Sequence, residues 1–519
     1  MSKENKKARN PCGGLIDRLT LPALQAITDR LYLSKGHEPA NQTRLQALSL
    51  GFSPNPHNRN LLDELFIDLP LLMRHLYIVG QTGIGKTFLI FLLVRELIRL
   101  GCGFCVVDIH GDLTQMILSH LASLEATPAQ REMVEKKLVL LLPFDPDFAL
   151  TFNPLHAPDE KKAYLQVSDM LHHFRKEWKD SWGPRMDLIF RHCLTTLSLR
   201  GMTLSDVPRF LIDANFRAVV VSELTDPIER SFWLNEFESQ SDAMKLTVVQ
   251  PVLNKVAPFV DDFYLRHMFA QRHSAIDFRQ AMDDRKWILV NVPKGIAGEN
   301  AHLAGSLSVS SVRTAAMSRV DIPEEDRIPF TLIADEFQCY VHYDFEEILS
   351  EARKFRLGLV MAHQHLDQIE RSMRAAIFGN VASTFLFRLG HQDVREVASS
   401  FRSSDQLLVS NALANLGNGE VVQRQPDGSF RILKIHRINK PEASPEAIAR
   451  LREASYRQYY RRRSEIDAEL LARTQPSGVS AVSPVGRPAP APPRAGRLLQ
   501  GRNRHRNEPP ETQLPEGEL

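Results

Sequence analysis

Gly80-Gln81-Thr82-Gly83-Ile84-Gly85-Lys86-Thr87 fits the phosphate-loop spacing G-x-x-x-x-G-K-[ST] at every constrained position. Its flanks fit as well. Leu76-Tyr77-Ile78-Val79 is a short apolar run that reads as a buried strand. Phe88 to Leu97 reads as the apolar helix that follows. In such a strand–loop–helix unit, backbone N–H groups close around the β- and γ-phosphates and the helix N-terminus adds its positive end. Lys86 is placed to reach the phosphates, and the Thr87 hydroxyl to hold Mg²⁺. Gly80, Gln81, Thr82, Gly83, Ile84, Gly85, Lys86, Thr87 and Phe88 are the candidate nucleotide contacts.

The second half of such a site needs acids at the end of another core strand. Phe330-Thr331-Leu332-Ile333-Ala334 is apolar and closes on Asp335-Glu336, the Walker B pattern. Asp335 is expected to bind the Mg²⁺ that Thr87 touches, and Glu336 to orient and activate the attacking water. Leu357 to Ala362 is a further strand ending in His363-Gln364-His365. A glutamine there can touch the γ-phosphate and report its loss. Just before it, Arg353-Lys354-Arg356 either supplies an arginine finger or pairs with Glu346, Glu347 and Glu351 along a helix. Phe104 to Val107 leads into Asp108-Ile109-His110-Gly111-Asp112. Asp108 and His110 are read either as site residues or as local structure, and Asp112 as the cap of the next helix.

The bulk numbers narrow the setting. A length of 519 residues predicts two or three domains. A hydrophobic fraction of 43%, with 24% charged, suits a globular chain rather than a disordered one. The net charge of +2 does not announce nucleic-acid binding, so any DNA contact has to come from local patches. Five scattered cysteines (Cys12, Cys102, Cys105, Cys193 and Cys339) argue against a disulfide framework and for a reducing compartment. Cys102 and Cys105 have C-x-x-C spacing but no second pair, and they run into a strand, so they read as buried rather than zinc-binding. Mg²⁺ with ATP is the expected cofactor; no zinc, haem or flavin is called for. No apolar run of 18 residues or signal segment is present, which predicts a cytoplasmic protein without an integral membrane segment.

Taken in order, residues 1–73 form a mixed N-terminal region with a helical pattern from Leu15 to Leu33. A turn-rich break follows at Gly51-Phe52-Ser53-Pro54-Asn55-Pro56-His57-Asn58. The first part of the nucleotide-binding α/β domain spans 74–156 and includes a strand over Leu138 to Phe144. Residues 157–270 switch to helical periodicity, an inserted all-α domain. Its helices run over Ala163–Trp178, Met186–Leu199, Leu204–Asp213 and Ile228–Phe237. Arg185, at a helix start, either binds phosphate or is simply solvated. The sheet resumes over 271–440, with strands at Trp287–Val292 and Thr384–Arg388. A hairpin is expected around Pro426-Asp427-Gly428. Residues 441–473 hold one long helix, Pro445 to Leu471, in which arginines interleave with Tyr456, Tyr459 and Tyr460. It is read as a phosphate-contacting face or a solvated one. Residues 474–519 are Pro-rich, basic then acidic, and read as a disordered tail.

Together the phosphate loop, Val106-Val107-Asp108-Ile109-His110-Gly111-Asp112 and Phe152-Asn153-Pro154-Leu155 resemble the HerA/FtsK superfamily of ring motors. More closely they resemble the TraG/TraD group of type IV secretion coupling proteins. Trp182-Gly183-Pro184-Arg185, Asp335-Glu336-Phe337, Ala352-Arg353-Lys354-Phe355 and Ala362-His363-Gln364 add to the likeness. The resemblance covers residues 74 to 440. It implies a RecA-like core, mostly parallel in its sheet, with an all-helical insertion. It also implies a homo-hexamer around DNA with nucleotide between subunits. By position it makes Arg353 the finger acting on the neighbour's nucleotide and Gln364 the sensing glutamine. The implied activity is DNA-stimulated ATP hydrolysis driving DNA translocation in conjugative transfer. A HerA-like role in DNA processing or defence, or a protein-moving ATPase, is the alternative. A relaxase, nuclease or secretion channel is the implied partner class. Membrane-anchored coupling proteins carry N-terminal transmembrane helices, which this sequence lacks.

Overall fold

The fold was described from a computed structural model, which covers residues 47–54, 62–157, 159–340 and 345–474. The helical pattern at Leu15–Leu33 and the tail after residue 474 lie outside the described residues. The chain divides into two units at Leu470/Leu471.

Thirteen strands are described. The first five are β1 (Ala47–Pro54), β2 (Leu62–Asp68), β3 (Leu76–Val79), β4 (Gly103–Asp108) and β5 (Leu138–Leu141). Then come β6 (Phe148–Leu150), β7 (Trp287–Asn291), β8 (Phe330–Ala334), β9 (Leu357–His363) and β10 (Ser383–Leu386). The last three are β11 (Glu420–Arg424), β12 (Phe430–Ile435) and β13 (Tyr460–Arg462). Eleven form one sheet in the order β2-β1-β12-β11-β10-β3-β9-β8-β4-β7-β5. From β10 to β5 every neighbouring pair is parallel. From β10 outward to β2 every pair is antiparallel.

The parallel strands are buried on both faces, which is why they read as unbroken apolar runs. Alternate residues serve different cores. Tyr77, Val79, Cys105 and Val107 face one cluster, shared with the helical insertion and the helix Ala301–Met317. Leu76, Ile78, Phe104 and Val106 face the other. That second face is covered by the helices Lys86–Arg99, Asp112–Ser123 and Pro445–Tyr459.

Between β6 and β7 the chain is helical. Its α-helices are Glu160–Glu177, Pro184–Leu199, Val207–Ile212, Ala214–Ser222, Pro227–Ser231, Asp242–Val260, Leu265–Phe269 and Phe278–Asp283. Phe232–Phe237 is a π-turn. Pro184 starts its helix at the first turn, where a missing N–H is harmless. Arg185 beside it is exposed. The helix Asp242–Val260 was not expected, since it carries Pro251 and Pro258 inside it.

Several sequence expectations need correction. Gly51 to Pro54 are strand, not a break: β1 pairs with β12 and is bulged between Ser49 and Gly51. A Cβ on Gly51 would stand 2.4 Å from the Lys434 carbonyl oxygen, so the glycine permits the close approach. The strand read over Leu138–Phe144 stops at Leu141. The single helix over Pro445–Leu471 is two, Pro445–Tyr459 and Arg463–Thr474. They are parted by β13, which pairs antiparallel with β6. Its tyrosines are structural. Tyr456 donates to Asp145 at 2.5 Å, and Tyr460 donates to Leu140 O at 2.8 Å. Tyr459 is buried. Arg461 pairs with Glu469 at 2.5 Å, while Arg452, Arg457 and Arg462 stay exposed.

Candidate nucleotide site

Parallel strands deliver their carboxyl ends to one edge of the sheet, and the predicted residues converge there. β3 runs into the phosphate loop, β9 into Gln364 and β8 into Asp335-Glu336. Because β9 lies between β3 and β8, Gln364 sits between loop and acids.

Gly83 and Gly85 adopt φ of +78° and +116°, where side chains are strained. Gly85 opens the helix Lys86–Arg99, so that helix's N-terminus faces the loop. Gly80 has a different reason: a Cβ there would lie 2.4 Å from Phe387 Cβ. Ile84 is buried behind the loop, and its carbonyl accepts from Gly419 N at 3.1 Å. Phe88 packs against Phe91, with ring centroids 6.1 Å apart. Lys86 donates to Gly80 O at 2.6 Å and Gln81 O at 2.9 Å. Burial pulls its pKa down, while Glu336 and Asp335 oppose that shift.

The Walker B acids differ from each other. Asp335 is buried, and Thr87 Oγ1 lies 3.4 Å from its Oδ2. Burial first, then the charges of Asp108 and Glu336, raise its pKa to about 7. A hydroxyl and a carboxylate in an environment overloaded with acid form an all-oxygen donor set, and this fits Mg²⁺. Glu336 takes the left-handed conformation at φ 51°, which swings its carboxylate toward β9. Gln364 Nε2 donates to Glu336 Oε1 at 2.7 Å. The other side of the same amide, Oε1, accepts from Thr82 Oγ1 at 2.7 Å. Phosphate loop, glutamine and second acid are thus one hydrogen-bonded chain. Beneath it, His363 is fully buried and bonded to the Tyr77 hydroxyl, and Phe337 packs on its ring at 4.9 Å. Burial holds the His363 pKa at about 3, so the ring stays neutral.

Arg353 stands elsewhere. It lies in the 3₁₀ turn Ala352–Phe355, before the start of β9, whereas the phosphate loop follows the end of β3. β9 has seven residues, a span of about 23 Å at the usual rise. Arg353 is therefore on the opposite edge of the sheet from its own Lys86, and it is exposed. Lys354 beside it is exposed too, and Arg356 is half-buried.

Asp108 is a turn-forming residue. Its Oδ1 accepts from His110 N at 3.0 Å and Gly111 N at 2.9 Å, and its Oδ2 from Thr114 N at 2.8 Å. It therefore does the capping expected of Asp112, which is exposed as the first helical residue after Gly111. His110 is exposed at the same loop. Cys102 and Cys105 are buried free thiols.

Two residues at this edge escaped the sequence reading. Gln338 Nε2 donates to Glu336 Oε2 at 2.6 Å. Arg388, at the end of β10, donates through Nε to Gln81 Oε1 at 3.3 Å. Position just after a core strand was the available signal for Arg388; no spacing rule marks Gln338.

The fold and the converging strand ends define a RecA-like P-loop core with an all-helical insertion. Residues 60–174 match the family model described as helicase HerA, central domain. Among solved structures, the unbound bacterial conjugative coupling protein TrwB superposes with a TM-score of 0.54 at 16% identity. That match covers 73% of this chain and 89% of the other. TrwB in complex with ADP and Mg²⁺ gives 0.55 at 14% identity, over the same shares. TrwB with a non-hydrolysable GTP analogue gives 0.54 at 16%, over 72% and 88%. No curated protein matches in sequence. The chain thus carries a stretch similar to the HerA central domain and shares the fold of the conjugative coupling protein TrwB. No helix among the described residues is long and apolar enough to cross a membrane.

Proposed function

We propose that this protein hydrolyses ATP and uses the energy to move DNA, as a homo-hexameric motor of the coupling type used in conjugative DNA transfer. One observation carries the hydrolytic part: the chain Thr82–Gln364–Glu336 ties the phosphate loop to the second Walker B acid. A binder that never turned over would need Lys86 and Asp335, but not a sensing amide bonded to a second carboxylate.

In this reading Lys86 and the loop N–H groups hold the phosphates, and Thr87 and Asp335 hold Mg²⁺. The bound cation would neutralise phosphate charge. Glu336 orients the attacking water and takes its proton. Gln364 turns its Nε2 donor from Glu336 to the γ-phosphate. Arg353 acts on a neighbouring subunit's nucleotide; its place on the far edge of the sheet supports that role. TrwB's description as a conjugative coupling protein supports DNA as the moved substrate.

The test is steady-state ATPase with and without DNA. Glu336→Gln is expected to lower turnover about 10²- to 10⁴-fold while nucleotide still binds. DNA is expected to stimulate the parent, less so as salt rises. Unchanged turnover in the variant removes the hydrolytic reading. Stimulation by a protein substrate and not by DNA removes the DNA reading.

A further inference from the structure

Glu336 is held by two side-chain amides, and the two are not equivalent. Gln364 is bonded on its far side to Thr82, in the loop that has to rearrange around phosphates. Gln338 has no such tie. It lies in the 3₁₀ turn Phe337–Cys339, directly after the acids. That turn is anchored by Phe337, which is fully buried and packs on Tyr77 at 6.4 Å and His363 at 4.9 Å. Among the described residues, Gln338 Oε1 is buried without a hydrogen-bond partner, so the bond to Glu336 Oε2 at 2.6 Å orients the amide.

We propose that Gln338 is a positioning residue that holds the Glu336 carboxylate by Oε2, leaving Oε1 to receive the proton of the attacking water. The inference rests on the ATPase reading above. In the step it serves, a water lone pair forms the bond to the γ-phosphorus. The bond to the β–γ bridging oxygen breaks, and its electron pair stays with ADP. The proton released by the water passes to Glu336 Oε1, which Gln364 has vacated. Gln338 touches neither water nor nucleotide. It keeps a carboxylate on a left-handed backbone from swinging once Gln364 lets go, and a charge-assisted bond to a fixed turn suits that task.

The test measures ATPase of the full chain with saturating Mg²⁺ and ATP, for Gln338→Ala and the near-isosteric Gln338→Glu. Gln338→Ala is expected to lose about ten- to a hundred-fold in kcat, with KM and the thermal midpoint almost unchanged. Gln338→Glu loses more at pH 8, where two carboxylates face each other. It then recovers relative to the parent as pH falls toward 5.5, because the introduced carboxyl, once protonated, can donate. Gln338→Ala shows no such recovery. A merely structural role gives parallel loss of thermal stability and no recovery. Either variant matching the parent in kcat, or both showing the same pH profile, overturns the proposal alone. A parent that hydrolyses no ATP overturns the ATPase reading, and this inference with it.

Discussion

Two polar regions of this molecule are built differently and behave oppositely. At the carboxyl ends of the central parallel strands, acids are in excess: Asp108, Glu336 and Lys86 all act on Asp335, whose carboxyl is pushed up to about 7. Thr82, Gln364, Glu336 and Gln338 bond side chain to side chain there, in contacts that can be exchanged. Along the β5 edge, arginine and tyrosine are bonded to backbone. Arg463 donates to Asp145 O at 2.9 Å and 2.7 Å, and to Phe263 O and Tyr264 O at 3.2 Å each. Ser455 and Tyr460 satisfy Leu140 and Leu142. The first region keeps electrostatic conflict in reserve, as sites that bind charge do; the second has resolved it and stabilises the sheet.

The largest expected effect breaks this contrast from outside the site. Arg353→Ala should lower turnover about 10³-fold although it lies on the far edge from its own Lys86. Mixing that variant with Glu336→Gln should restore part of the activity, because a mixed assembly contains sites with both groups intact. No recovery on mixing places the finger elsewhere.

A second test sharpens the electrostatic side. The Asp335 carboxyl titrates at 3.8 when unperturbed and near 7 in the fold. The folded state therefore binds this proton more tightly. The associated stabilisation is full below about pH 4 and is lost as pH rises toward 7. In thermal melts of nucleotide-free protein, Asp335→Asn should gain on the parent as pH is raised from 5 to 8. A constant gap would mean that Asp335 is ionised throughout.

The smallest effect belongs to the resolved region. Tyr460→Phe leaves the Leu142 N–H, now bonded at 2.6 Å, without its acceptor. Urea unfolding should show a loss of about 1–3 kcal/mol, with kcat unchanged. A change in kcat would tie this edge to the site.

The difference between the regions also explains what the sequence could disclose. The phosphate loop, Asp335-Glu336 and Gln364 were legible because a strand buried on both faces is an unbroken apolar run, and its end is marked by the first polar residues. Asp108 was ambiguous for the same reason: position at a strand end does not say whether a carboxylate faces a ligand or the backbone N–H groups of its own turn. β1 was illegible because its pairing is with β12, some 380 residues away, and its glycine and proline read locally as a break. β13 was lost inside an arginine-rich helical pattern, since a three-residue strand has no periodicity to detect. The helix Asp242–Val260 was masked by its prolines. Gln338 was out of reach, because its role depends on the direction of one amide in a turn.

The placement of the sheet's two flanks has a consequence for how the protein is made. Among the described residues, β1 and β2 join the sheet through β12, and the β5 edge is bonded by Ser455 and Tyr460. A ribosome has therefore delivered more than 430 residues before either flank can be completed. Until then the nascent chain carries open strand edges, the condition under which partly made proteins stick to one another. Production of this protein should thus be sensitive to chaperone supply, and to truncation before Tyr460.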